Sequence, residues 1–435
     1  MTMGDAGTVR PQVRSLVVMQ KVPLPADSGG KQRALHLARG LLTLGAVDLF
    51  LLTPEIDHDA RSGLQAMGFG VLTSSPGTER RRWDTWSRWC RSRDLPLDLT
   101  RRDFGAARDR FQHVQRDPYD LVLFMGVEVW QPLAGVVSGC PIIDMEVRNL
   151  LASRLADVAP RSSQPRARAR ALVSRVLRSS RELRLRADAR RWERLQRAAG
   201  RASDLVTVCS AVDRSLLGLE GAAQVVPNGF EIPPIPRGRA EVSDPPTILF
   251  PGKMTYQPNA DGAVFLVEQV LPTLRELVPG IRVEIVGQAS ATVRRLGAES
   301  DVEVSGYIAN MEDALARADL VVVPLRSGVG TRIKILEAWA HRIPVVSTAV
   351  GAEGLDHEDG VHLLIADSPA AIAEACRRTL TDPDLRVRLV READELVRST
   401  YRWSAAEERM AEVAASVLGS PGSAATIVER DGDRS

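Results

Sequence analysis

Short apolar runs alternate with amphipathic stretches along most of this chain. VRSLVVM (13–19) is continuous enough in apolar residues to predict a buried strand. A glycine loop follows, then a helical pattern from Lys31 to about Thr43. VDLFLLT (47–53), YDLVLFMG (119–126) and CPIID (140–144) repeat the strand signal. SDLVTVCSAVDRSLLGL (203–219) reads as one more strand and helix, with Ser210 as N-cap and Asp213 completing a capping-box-like pair. Strands separated by helical patterns predict βαβ units on a parallel sheet.

The pattern then breaks and restarts. Residues 231–246 hold Pro233, Pro234, Pro236, Pro245 and Pro246, a density that marks a linker. Beyond it, TILFPG (247–252), IRVEIVG (281–287), VEVSG (302–306), DLVVVPL (319–325) and PVVST (344–348) predict strands. Helices are expected over 259–277 and from near Asn310 and Arg332. After Pro369 the pattern is helical, and Ser404-Ala-Ala-Glu407 reads as a capping box opening a last helix to about Leu418. The pattern predicts an α/β fold class with two Rossmann-like doubly wound domains. The expected domains are a tail (1–12), an N-terminal domain (13–230), the linker (231–246), a C-terminal domain (247–400), a crossover helix (401–418) and a disordered tail (419–435).

Charge changes this picture in one place. The net charge of +2 is unremarkable, but residues 161–201 hold 14 Arg against Glu182, Asp188 and Glu193, or +11. The rest of the chain is therefore −9. Arg166–Arg201 lacks Gly and Pro until Gly200, so it predicts a helical insertion. Basic residues are almost all arginine; the lysines are Lys21, Lys31, Lys253 and Lys334. The four cysteines are scattered, with no zinc spacing and no disulfide framework. The N-terminus shows no apolar core of a secretory signal, and no run reaches the ~18–20 apolar residues of a membrane span. A reducing, cytoplasmic setting is the default. Aromatic residues, at 4%, are too sparse for a nucleic-acid stacking platform, and no nucleic-acid partner is expected.

The strongest chemical signal is PLRSGVGTRIKILEAWAHRIPVVST (324–348). It reads as strand, glycine loop, helix and strand. Gly328 and Gly330 allow close backbone approach, and the free N–H groups of the next helix form an anion site. Arg332 and Lys334 add positive charge. Glu337, further along, repels phosphate but suits a pair of sugar hydroxyls. The set fits a nucleoside diphosphate with its ribose held by Glu337; an ordinary βα turn with surface charges fits the same letters.

Together with Pro227-Asn228-Gly229, Gly252-Lys253-Met254, Pro258-Asn259, Gly306-Tyr307 and Gly351-Ala-Glu-Gly354, this stretch resembles the GT-B glycosyltransferases, most closely retaining family 4 (glycosyl transferases group 1). The resemblance covers 225–415 well and 13–150 weakly, through Pro25–Lys31. It implies that the two domains face each other across a cleft, the N-terminal one binding the acceptor and the C-terminal one the donor, with hexosyl transfer from a nucleotide-sugar donor to a glycan, lipid-linked or small-molecule acceptor in polysaccharide biosynthesis. The implied donor-binding residues are Gly29, Gly30, Gly252, Lys253, Gly306, Tyr307, Ile308, Gly328, Gly330, Thr331, Arg332, Lys334 and Glu337. The first glutamate of the family's paired-glutamate pattern falls on Val329, a departure that bears on donor-sugar contacts. Lys253 and Lys334 are the implied catalytic cations, and Asp144 the candidate base. No resident metal or cofactor is implied. Asp57-His58-Asp59 reads more simply as a helix start than as a metal motif.

Two basic stretches lie outside that resemblance. In 79–93, Trp83, Trp86 and Trp89 share one helix face among arginines. This is the pattern of a helix on an anionic membrane surface, and equally of a Trp stripe buried between helix and sheet. The segment 161–201 allows the same membrane contact, at an inner membrane face, or a solvated helix. A sugar-nucleotide epimerase-like enzyme and a catalytically silent membrane-peripheral protein are the alternative functions.

Overall fold

The computed structural model describes residues 13–26, 28–53, 55–74, 77–145, 168–219, 221, 223–308, 310–328 and 331–418; side chains of 168–182 are outside that description. The expected tails (1–12 and 419–435), Val329 and Gly330 therefore lie outside the described residues.

Two parallel sheets form the frame. The first contains β1 (Val13–Met19), β2 (Gly45–Leu51), β3 (Phe69–Thr73), β6 (Leu121–Met125), β7 (Cys140–Met145), β8 (Leu205–Val208) and β9 (Ala223–Val225), in the order β3-β2-β1-β6-β7-β8-β9. Between β3 and β6 a small antiparallel pair, β4 (Thr78–Glu79) and β5 (Arg102–Asp103), stands apart. The second sheet contains β10 (Thr247–Pro251), β11 (Arg282–Val286), β12 (Val302–Gly306), β13 (Leu320–Val323), β14 (Val345–Ser347) and β15 (Leu364–Ile365), ordered β12-β11-β10-β13-β14-β15. LVVV is buried throughout and LVLFM in all but its last residue, because helices cover both faces of a parallel sheet. The described part of the arginine-rich segment is one helix, Arg168–Ala202, about 50 Å long.

Each sheet reverses strand order once, between β1 and β6 and between β10 and β13. Ligands in doubly wound folds bind beyond the carboxyl ends of the strands at such points. Here the two sets of strand ends meet. Gly29, after β1, lies so close to Ile333, after β13, that a Cβ on Gly29 would stand 2.5 Å from the Ile333 Cδ1. Gly354 similarly faces Ser210, which follows β8.

The last helix, Trp403–Leu418, leaves the second sheet and packs along the helix Gly29–Leu42 of the first. Gly40 permits the approach, since a Cβ there would meet the Glu407 carbonyl at 2.5 Å. The Trp403 indole stacks on the His36 ring, 4.3 Å apart and 3° from parallel. His36 Nδ1–H donates to Glu407 at 2.6 Å. Burial, only partly opposed by Glu407, lowers the His36 pKa, which favours the neutral ring. The expected capping box is corrected here: the helix begins at Trp403, and the Glu407 carboxylate serves His36 and Arg39 on another element. The helix expected over 259–277 is also interrupted, by a wide turn at Leu266–Val270. Pro272 cannot donate to the carbonyl four residues back, and the ladder re-forms around it.

Candidate functional site

The second sheet supplies a cationic centre. Gly252, at the end of β10, has φ +148°, and a Cβ there would lie 2.7 Å from Lys334 Nζ and 3.0 Å from Asn259 Nδ2. Glycine is thus required both by the backbone and by the ammonium passing over it. Lys334 Nζ donates to Asn259 Oδ1 at 2.9 Å and lies 4.6 Å from the Phe250 ring centroid. Asn259 is fixed in turn by its Nδ2, which donates to the Lys253 carbonyl at 3.0 Å. Burial, with the nearby Arg332 charge, pushes the Lys334 pKa down to about 7. Glu337, three residues along the same helix face, is pushed up to about 7 by burial, against the pull of Lys334. Desolvation thus disfavours the charged form of both groups, one turn apart on the same helix.

The other expected donor residues surround this centre unevenly. Lys253 is exposed beside it. Gly328 (φ +123°) follows β13, and Arg332 packs its buried guanidinium beside it, Nη2 donating to the Val350 carbonyl at 3.2 Å. Thr331 is half-buried at the start of the Ile333–Ala340 helix. Gly306 (φ +68°) closes β12, Ile308 is half-buried, and Tyr307 is 80% exposed beyond the sheet edge. Gly29 meets Ile333 across the cleft, whereas a Cβ on Gly30 would meet nothing within 4 Å.

Gly252→Ala is expected to displace Lys334 and strain the loop, at a cost of about 1–3 kcal/mol. A fall of several degrees in the melting temperature, with weakened nucleotide binding, checks this by thermal unfolding. Unchanged melting and binding would show that the contact has room to relax.

The first sheet contributes a pocket of about 190 Å³ at its own reversal point. It is lined by Lys21, Gly30 and Lys31, by Glu128 after β6, and by Trp192 and Gln196 from the long helix. Glu128 folds back over Gly126, where φ is +110° and a Cβ would lie 2.4 Å from the carboxylate. Asp144 borders the same pocket but is 3% exposed. Both its oxygens are taken by Arg33, Nε at 2.8 Å and Nη2 at 2.6 Å, and Thr207 Oγ1 donates at 2.8 Å. Arg33 also donates to the Val226 carbonyl (2.8 Å) and Asn228 Oδ1 (2.9 Å), which gives Pro227-Asn228-Gly229 a structural part. Asp144, the expected base, is thus engaged on both oxygens by Arg33 and on one also by Thr207, bonds that tie β7 to the helix Gly29–Leu42 and to β8.

Sequence reasoning missed Arg33, Glu128, Lys21 and the role of Asn259. Asn259 alone carried a signal, as part of the Pro258-Asn259 pattern. Asp57 and Asp382 act as helix N-caps, accepting from Ala60 N–H at 3.2 Å and Leu385 N–H at 2.9 Å.

Comparison with known structures defines the fold as that of the GT-B glycosyltransferases. Sucrose-phosphate synthase from Thermosynechococcus elongatus superposes with a TM-score of 0.63 at 17% identity, over 93% of this chain and 99% of that one. An Anabaena protein, HepE, in complex with UDP and glucose gives 0.58 at 13% identity, over 93% and 100%. At the level of sequence, residues 245–382 match the glycosyl transferases group 1 family model, the segment that holds Gly252, Lys253, Asn259, Lys334 and Glu337. A curated relative, an exopolysaccharide phosphotransferase of Streptomyces coelicolor, is 28% identical over 177 residues, 38% of this chain. This chain spans 18% of that relative's length.

Proposed function

We propose that this chain is a glycosyltransferase that moves a hexosyl group, with retention, from a nucleotide-sugar donor to a glycan or lipid-linked acceptor. One observation carries the reading: Lys334 and Glu337 share a helix face at the reversal point of the second sheet, inside the segment that matches a glycosyl transferase model. Glu337 would accept hydrogen bonds from the two ribose hydroxyls. Lys334, Lys253 and the N–H groups at the start of helix Ile333–Ala340 would hold the diphosphate. Breaking the anomeric C–O bond leaves extra negative charge on that diphosphate, and fixed cations beside it stabilise the leaving group. Protein charges would do this work without a resident metal. Gly306, Tyr307 and Ile308 would border the base.

The acceptor side is assigned to the pocket under β1 and β6. Trp192 offers an apolar wall, Gln196 an amide, and Glu128 a carboxylate to orient the incoming hydroxyl. Glu128 takes the place first expected for Asp144. The HepE complex with UDP and glucose supports a nucleotide-bound donor in this fold. Contact between Gly29 and Ile333 would exclude water from the cleft when the donor is bound.

A screen of UDP-, GDP- and ADP-sugars against glycan and lipid-linked acceptors, with mass detection and chromatographic separation of the sugar nucleotides, tests the proposal. It expects a product heavier by one hexosyl residue (a hexose less water) and free nucleoside diphosphate. Release of a free epimerised sugar nucleotide product, or no turnover with any donor the protein binds, would reject it.

A further inference from the structure

The excursion between β4 and β5 carries an inference independent of the transferase reading. β4 and β5 pair Thr78 with Asp103 and Glu79 with Arg102, clasping the excursion between them. Inside it, the helix Arg82–Arg91 is mounted on the long helix. Trp89 Nε1 and the Leu97 N–H both donate to Asp188 Oδ1, at 3.1 and 2.7 Å. Arg191 donates to the Trp89 carbonyl at 2.8 Å and stacks 4.1 Å from the Trp89 ring centroid. Further back along both helices, Arg184 stands 5.5 Å over Trp86.

The ladder stops there. Trp83, next in the stripe, is 81% exposed and makes no ring contact or hydrogen bond among the described residues. Leu183, beside the Arg184 rung, is 66% exposed. The stripe is therefore neither wholly buried nor wholly free: Trp89 anchors it, and Trp83 projects. The flanking sequence is basic, although Arg80 pairs with Asp103 and Arg194 with Asp94. Residues 79–93 hold six Arg against Glu79 and Asp84, or +4, and 183–201 hold seven Arg against Asp188 and Glu193, or +5. Arg81, Arg82 and Arg88 are exposed and have no carboxylate partner among the described residues.

We propose that this face docks on an anionic lipid surface, with Trp83 seated at the headgroup level. An indole with one apolar body and one N–H suits that level, and arginine stems lie along it while their heads reach lipid phosphates. Charge complementarity selects an anionic bilayer. A nucleic-acid groove would need several exposed rings in series, and here one ring stands clear while its neighbours are held by Arg184 and Arg191.

The test uses the full chain with vesicles of phosphatidylcholine alone or with about one-third phosphatidylglycerol. The proposal expects flotation with the anionic vesicles only, reversed by about 0.5 M salt. Trp83→Ser should weaken association about tenfold. Arg81→Ser with Arg82→Ser should weaken it about 25-fold, near fivefold per charge. Melting temperature and UDP response should stay as in wild type. Equal binding to neutral vesicles, wild-type association of Trp83→Ser, or a dimer in solution that Trp83→Ser dissociates would overturn the proposal. Nucleotide binding without vesicle binding refutes this inference alone; vesicle binding without nucleotide binding refutes only the transferase reading.

Discussion

Lys334→Ala should lower the turnover of sugar transfer by about 10²–10³-fold, the range for removing one group that stabilises developing charge. The size follows from where the ammonium sits. It is held by Asn259, lies over Phe250, and crosses a glycine that has no side chain to displace it. Such a group needs no reorganisation as the leaving diphosphate gains charge. Its pKa, pushed down to about 7, adds a second signature. Desolvation disfavours the charged form of Lys334 above that pKa, and a bound diphosphate favours it. Binding should then take up a proton, and affinity should fall as pH rises from 7 to 9. Glu337 does not contribute at pH 8, since it is ionised above its own raised pKa of about 7. Calorimetry in buffers of different ionisation enthalpy measures the uptake. No proton uptake, with turnover within tenfold of wild type for Lys334→Ala, would remove Lys334 from the mechanism.

Asp144→Ala should destabilise the first sheet by about 3–5 kcal/mol, because it strands the Arg33 guanidinium in the interior. Arg33 is 4% exposed and reaches β7, the Val226 carbonyl and Asn228 at once. Replacing both partners by apolar residues, Arg33→Met with Asp144→Leu, should recover much of that loss. Denaturant unfolding of the two variants reads the difference. A catalytic base behaves otherwise: its removal would leave stability near wild type and abolish transfer. That result would restore Asp144 to the reaction and displace Glu128.

The two predictions mark where the sequence was legible. Lys334, Gly252 and Glu337 lie in segments whose local pattern states their setting, a buried strand followed by a glycine loop and a helix. Such runs are read directly, because strand burial and helix starts are local properties. Arg33 and Asp144 stand 111 residues apart and meet only through the order β1-β6-β7, which no local period encodes. Glu407 shows the same limit from the other side. Its spacing from Ser404 matches a cap, but the carboxylate finds His36, 371 residues away. β4, β5 and β15, with two residues each, are too short to carry a period of two. The Trp stripe was legible as a helix face, while its gradient from anchored Trp89 to exposed Trp83 depends on the distant Asp188 and Arg191.

The central claim is that the cleft binds a nucleoside diphosphate through the helix carrying Lys334 and Glu337. Titration of UDP, GDP and ADP into the wild type and Glu337→Ala, followed by calorimetry, tests it most directly. At least one of the three should bind the wild type, and Glu337→Ala should weaken it about 10- to 100-fold, the loss of charged hydrogen bonds to the ribose. Binding of none of them, or equal affinity in the variant, would contradict the account.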